Sequence, residues 1–209
     1  MWVDLGLTIR NAQVAIAGKV IQAVTKEAMA GAVVEMIQMP AKFARVLQLK
    51  ALQVGDPWVG MKERGDRRIA QADGSFFFTD LPVGEYIIRA SIPNSSTRYN
   101  AVEQTYQVTR NETSEVQAAI GDLAIPPTGL QGKVFAKKKG VAFAKIKLLG
   151  SKESTITDQT GAYRFTGLEA SGGEMTQSMF QISSPDHSTQ QQSVILQQGV
   201  MSNIDFSFE

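Results

Sequence analysis

The chain begins with a strict alternation of apolar and polar residues. Val3, Leu5, Leu7 and Ile9 fall on one side of an extended segment, and Asp4, Gly6, Thr8 and Arg10 fall on the other. That is the period of a half-buried β-strand. Short apolar or alternating runs recur at residues 14–21, 30–37, 85–90, 102–108, 115–120, 129–135, 141–149, 179–182, 193–196 and 203–208. Clusters of Gly, Pro, Asn, Asp and Ser separate them at intervals of about 8–12 residues, which predicts an all-β sandwich. Residues 93–100 and 185–192 are polar and are predicted as loops. The closing run places Ile204, Phe206 and Phe208 on one face and predicts an ordered final strand.

One stretch of this pattern occurs twice. Residues 72–81 read Ala-Asp-Gly-Ser-Phe-Phe-Phe-Thr-Asp-Leu, and residues 160–168 read Thr-Gly-Ala-Tyr-Arg-Phe-Thr-Gly-Leu. Without a gap, Gly74 aligns with Gly161, Phe76 with Tyr163, Phe78 with Phe165 and Leu81 with Leu168. Each copy offers a turn glycine, a strand with aromatics on alternate residues, and an apolar stop. The expectation is that Phe76, Phe78, Tyr163 and Phe165 point into two cores. Upstream, Gly18-Lys19-Val20 and Gly132-Lys133-Val134 open the two copies. A glycine inside a strand marks a bulge or a close backbone approach.

The copies diverge after their second strand. The second copy passes from Leu149 through a short polar connection into residues 155–158, whereas the first adds about two dozen residues between Ile37 and Ile69, beyond the ordinary hairpin loop of about 2–5 residues. Residues 41–53 follow Pro40 and lack Pro and Gly. They predict a helix whose imperfect apolar face is Phe43, Val46 and Leu47 with Leu49 or Leu52. A turn-rich segment with Trp58 and a charged run from Lys62 to Arg68 complete the insert. The expected organisation is an N-terminal strand or arm (1–13) and a first sandwich (14–124) with its insert (38–68). A Pro-rich link (125–128) and a second sandwich (129–209) follow.

The second copy also reads Thr157-Asp158-Gln159-Thr160-Gly161-Ala162-Tyr163-Arg164-Phe165-Thr166-Gly167-Leu168, and the first reads Asp73-Gly74-Ser75-Phe76-Phe77-Phe78 with Leu81-Pro82-Val83-Gly84-Glu85-Tyr86. These motifs resemble the carboxypeptidase regulatory-like domain, a transthyretin-like β-sandwich of the prealbumin type. The chain departs from that pattern where Ala70-Gln71 replace Thr-Asp, where Asp80 replaces Gly, and where the second copy lacks the Gly-x-Tyr return. The resemblance implies an all-β chain of two tandem transthyretin-like or Ig-like sandwich domains, with a long, partly helical insert in the first. It implies no active site, because such modules serve as structural appendages on many unrelated proteins.

Composition narrows the function classes. The formal net charge of the 209 residues is +1, which gives no global pull toward nucleic acid. The chain has no cysteine and a single histidine, His187, so thiolate chemistry and most zinc geometries are excluded and no metal or cofactor is expected. His187 lies between Asp186 and Ser188, but adjacency in sequence does not make a catalytic relay. No calcium-loop spacing and no phosphate-binding glycine pattern is found, and Lys137-Lys138-Lys139-Gly140 reads as a solvated hairpin tip. No apolar run spans a membrane. Asp4 interrupts the only leader-like stretch, so a cytoplasmic product is expected.

What remains is a non-enzymatic structural or adaptor subunit whose partners are other protein subunits, with homo-oligomers included. A component of a phage-tail-like contractile injection system is one specific form of this expectation. The candidate interaction residues are Val3, Leu5, Leu7 and Ile9 of the leading strand, as an extra edge strand or as an arm added to another subunit's sheet. In the insert they are Phe43, Leu47, Trp58 and Arg67, because long loops on a rigid scaffold carry function. Alternatively the insert folds back over its own sandwich. A carbohydrate-binding or adhesion module, with Trp58, Tyr99 and Tyr106 as stacking residues, is the competing expectation.

Overall fold

The computed structural model describes residues 12–112, 115–170 and 177–208, so the leading residues Val3, Leu5, Leu7 and Ile9 lie outside the described residues. The chain forms two compact units. The first comprises the described residues up to Val20 with Ala28–Ala90 and Glu103–Leu123; the second comprises Ile21–Glu27, Ser91–Val102 and the described residues from Ala124 onward. Both are all-β sandwiches, the fold class the pattern predicts.

In the first repeat, β1 (Val14–Gln22) pairs antiparallel with β4 (Ser75–Thr79) and parallel with β8 (Ala119–Ile120), and β9 (Leu123–Ile125) also pairs with it. The second sheet runs β3 (Arg67–Ile69), β2 (Val33–Gln38), β5 (Gly84–Ser91), β6 (Val102–Arg110) and β7 (Val116–Gln117). The insert supplies α1 (Ala41–Val54) and the one-turn α2 (Pro57–Gly60). Alternation in β4 places Phe76 and Phe78 in the core and Phe77 outside. Full burial of a phenylalanine contributes about 2–3 kcal/mol.

The second repeat has the same plan. Here β10 (Gly129–Ala136) pairs antiparallel with β14 (Ala162–Thr166) and with the short β11 (Lys139–Gly140). It pairs in parallel with β17 (Met201–Asn203) and β18 (Phe206–Phe208). The other sheet runs β13 (Ser154–Ile156), β12 (Lys145–Leu148), β15 (Gln177–Ser184) and β16 (His187–Ile195). The core gathers Leu130, Val134, Ile146, Tyr163, Phe165, Phe180, Ile182 and Phe206, with Tyr163 stacked on Phe206 at 5.5 Å between ring centroids.

The strand glycines mark the same event in both repeats. At Gly18 and at Gly132 the closing strand jogs across the opening strand. A Cβ on Gly18 would lie 1.8 Å from the Gly121 carbonyl oxygen, and one on Gly132 would lie 1.9 Å from that of Ile204. The ladder bond lost at the jog is replaced by a carboxylate: Lys19 N–H donates to Asp122 Oδ1 (2.9 Å) and Lys133 N–H to Asp205 Oδ1 (2.8 Å). A tyrosine hydroxyl holds each crossing carbonyl, from Tyr106 to Gly121 (2.8 Å) and from Tyr163 to Ile204 (2.7 Å).

The structure corrects one of the two loop expectations and upholds the other. Residues 187–195 form β16, because pairing with β15 from Gln177↔Ile195 to Ser184↔His187 supplies a ladder that a polar sequence accepts. His187 is therefore a strand residue, stacked on Phe208 at 4.8 Å. Residues 93–100 are irregular, as predicted, but are tied down within the second unit. Arg98 pairs with Glu153 and Glu169 and donates to the Gly167 carbonyl. Hydrogen bonding to Glu153 holds its guanidinium above the ordinary pKa, against a smaller opposing effect of burial. Thr97 Oγ1 donates to the Ala170 carbonyl (2.8 Å), and Thr128 Oγ1 donates to that of Thr97 (2.7 Å).

Candidate functional site

The insert is built on an apolar hinge and a charged clasp. Pro40 precedes α1 and cannot donate, which suits a helix entry. Phe43 meets Tyr86 edge-on at 6.3 Å, and Leu47, four residues on, is the helix's buried side chain. Both therefore pack the insert onto its own unit, with Leu47 buried and Phe43 partly exposed. Gly65 lets the returning chain pass over them, since a Cβ there would lie 2.9 Å from Leu47 Cδ2. Leu49 and Leu52 do not complete this inner face. Steps of about 100° per residue carry the stripe from Phe43 and Leu47 to Ala51, and Leu49 and Leu52 emerge on the far side, 56% and 80% exposed.

The charged run from Lys62 to Arg68 closes the insert. Arg64 donates through Nε to Asp66 Oδ1 (3.1 Å) and through Nη1 to the Trp58 carbonyl (3.3 Å). Its guanidinium lies over the Trp58 ring, 5.4 Å from the centroid. Arg67 Nε forms an ion pair with Glu35 Oε1 at 3.3 Å without a hydrogen bond. Arg68 caps the Arg64 and Arg67 carbonyls and covers the Phe78 ring at 5.1 Å. Trp58 and Arg67 are thus committed to intramolecular contacts. Trp58 also lines a shallow cavity of about 260 Å³ with Leu47, Ala51 and Met39.

The outer face of the insert is unpartnered among the described residues. Seven of the sixteen large apolar side chains that are exposed there lie between Ile37 and Met61: Ile37, Val46, Leu49, Leu52, Val54, Val59 and Met61. α1 carries Lys42, Arg45 and Lys50 and no acidic residue. An exposed helix face of this kind, with apolar side chains and only cationic charges, is the largest concentration of exposed apolar side chains among the described residues. Its sequence signal was the missing acids, which periodicity alone does not weigh.

A second feature is present in both repeats. In the first, Arg68, Ile69, Gln71, Ser75, Phe76 and Phe77 line a groove of about 450 Å³, walled by Glu63 and Arg64 of the insert. In the second, the equivalent residues Thr155, Ile156, Asp158, Ala162, Tyr163 and Arg164 line a groove of about 840 Å³. That larger groove is completed by Gln131, Gly132, Lys133, Asn203 and Asp205. The two share a position between the same pair of strands but differ in chemistry, with Phe77 in one where Arg164 stands in the other. Asp158 in the larger groove accepts from Thr160 Oγ1 and from the Thr160 and Ala162 amides. The Thr160 hydroxyl and these amides hold its carboxyl below the usual range.

No catalytic constellation assembles around these features. Among the described residues no group of three or more His, Asp or Glu is placed to hold a metal ion. Tyr106 is 3% exposed and its hydroxyl is engaged at the Gly121 carbonyl, so it cannot stack on a ligand, which corrects the expectation placed on it. Tyr99 is half-buried, with its carbonyl accepting from Gln198 Nε2 at 2.8 Å. No helix among the described residues is long and apolar enough to cross a membrane.

No protein-family model and no curated protein matches the chain. Solved structures superpose only loosely. The shaft pilin SpaA from Lactobacillus rhamnosus GG is 10% identical over 95% of this chain and 98% of its own, with a TM-score of 0.38. The minor pilin GBS52 of Streptococcus agalactiae is 12% identical over 92% and 94%, with a TM-score of 0.34. The Bacillus anthracis TIE protein is 12% identical over 94% of this chain, with a TM-score of 0.37, and the chain spans 34% of its length. None of these superpositions distinguishes the carboxypeptidase regulatory-like label from other β-sandwiches.

Proposed function

We propose that the protein is a non-enzymatic structural or adaptor subunit that engages another protein through the outer face of α1 and α2. The observation that carries this reading is the concentration of exposed Val46, Leu49, Leu52 and Val59 beside Lys42, Arg45 and Lys50. An exposed apolar patch on a rigidly anchored loop is costly to keep in water, and a partner that covers it removes that cost. The cationic rim favours an acidic partner surface. Nothing in the geometry supports the narrower expectation of a contractile injection system.

A photo-crosslinking amino acid at Leu52 tests the reading in the producing cell. The expected result is one discrete crosslinked protein that is lost when the same group stands at Lys138, on the hairpin tip. Only diffuse products at Leu52 overturn it.

The open groove of the second repeat favours a second reading, an adhesion module that binds a polar chain such as a glycan. Gln131, Asn203, Asp158 and Arg164 supply its donors and acceptors. Retention on a glycan array that is abolished by Arg164→Ala, with the fold intact, supports it, and silence across the array removes it.

A further inference from the structure

The longest free edge among the described residues belongs to β16. This strand spans nine residues, ends its sheet, and pairs only with β15 among the described residues. The other sheet-terminal strands are shorter: β4 and β14 have five residues each, β3 and β13 three, and β7, β8 and β11 two. Proteins blunt long edges with charge, proline, bulges or a covering segment, because unpaired N–H and C=O groups template another strand. β16 has one of these devices, a bulge near its start where the register with β15 shifts between Ile182 and Ser184, but from Gln190 to Ile195 its ladder is regular and no described segment covers its outer side. Its sequence, His-Ser-Thr-Gln-Gln-Gln-Ser-Val-Ile, contains no Lys, Arg, Asp, Glu, Pro or Gly. Across the whole hairpin from Gln177 to Ile195 the one charged residue is Asp186, at the turn.

The first repeat provides an internal control. Its corresponding long strand β6 is also nine residues, but it carries Glu103 and Arg110. Glu103 is in an ion pair with Arg89 (2.6 Å), and β7 closes over the last two residues, Thr109↔Gln117 and Arg110↔Val116. The same position in the fold is charged and partly covered in one copy, and uncharged and uncovered among the described residues in the other.

We propose that the β16 edge is a self-association seam, at which β16 of a second copy adds antiparallel about a twofold axis. A second copy fits this edge because the strand is self-complementary. Overlap centred on Gln191 sets Gln190 against Gln192 within the regular part of the strand, keeps the bulge away from the axis, and opposes no like charges. Isologous pairing of this kind is the commonest symmetry of homo-oligomers, and glutamine amides facing one another form ladders. The outer face beside the seam holds Met179 and Ile195, both exposed, which add apolar contact across it. An edge this size buries less than the roughly 1,000 Å² of a permanent interface, so the dimer is concentration-dependent.

Sedimentation velocity of the full chain, from low to high micromolar, tests the seam. The wild type is expected to pass from monomer to dimer over that range. Gln191→Lys and Gln191→Glu each place like charges opposite one another at the axis and weaken the dimer by on the order of tenfold or more. An equimolar mixture of the two variants restores it. Thr105→Lys on β6 leaves it unchanged. Thermal melts matching the wild type confirm that the variants fold; if one unfolds, the other reads the same contact. A wild type that stays monomeric, or variants that dimerise as it does, overturns the proposal. The Leu49→Ser/Leu52→Ser variant is expected to dimerise normally, so failure of the insert reading and failure of this one give different results.

Discussion

The two repeats of this chain share a core and differ in almost everything that faces outward. Both use an aromatic pair on the strand after a turn glycine, Phe76 with Phe78 and Tyr163 with Phe165, and both close with a jog at an interior glycine. The first repeat then adds a cationic helical insert, a groove floored by Phe77, and a charged, partly covered edge. The second keeps the bare hairpin, an open polar groove and an uncharged nine-residue edge. Residues under packing constraint are alike in the two copies, whereas many of those outside it differ. The jog shows how geometry can outlive sequence. In the second repeat the bracing hydroxyl comes from Tyr163 on β14; the aligned residue in the first is Phe76, and Tyr106 on β6 supplies the hydroxyl from another strand.

The comparison can be broken first at its shared core. Phe78→Ala and Phe165→Ala are each expected to cost about 3–5 kcal/mol in urea unfolding. A loss below about 1 kcal/mol in either would mean that the two hairpins are not equivalent. Next come the jogs. Gly18→Ala and Gly132→Ala force a methyl group onto a backbone carbonyl, and each should cost about 3 kcal/mol. Hydrogen exchange is expected to rise around Gly121 in the first variant and around Ile204 in the second, and exchange that stays local to neither site would refute the crossing as drawn.

The insert sharpens the contrast between packing and display. Leu47→Ala should cost about 2–3 kcal/mol, whereas Leu52→Ser should stay within about 0.5 kcal/mol and alter partner binding only. Equal losses at the two positions would place the helix on the wrong face.

The most gradual effect is alkaline. Burial pushes the phenols of Tyr86 and Tyr106 up to about 12, with Asp122 adding to it at Tyr106. Tyr163 is raised further by burial and Asp205. A raised folded pKa gives stability that is full below about pH 10, where the unfolded phenol is still protonated, and that is lost as pH rises toward 12. Denaturation midpoints at pH 8 and 11.5 should differ in that direction, and less so in Tyr106→Phe. A flat profile would mean that the phenols ionise freely in the folded chain.

The sequence by itself determined the sandwich class, the two copies, the inward aromatics and the helix of the insert. Each rests on local periodicity: a period of two in the strands, and about 3.6 in residues 41–53, where Phe43 and Leu47 lie four apart. Its reading of Val46, and of Leu49 or Leu52, as inner residues failed, because a short apolar helix does not reveal which side meets the sheet until the sheet is there. Its reading of residues 185–192 as a loop failed for a related reason. Ser-Thr-Gln-Gln-Gln has no alternation to detect, and only pairing with β15 makes it a strand. Tertiary structure alone decided the crossing at Gly18 and Gly132, since it depends on a strand about 70 or more residues away in the chain returning beside them. It also decided that Tyr106 is buried and that Trp58 and Arg67 make contacts within their own unit, because those contacts join residues from separate elements.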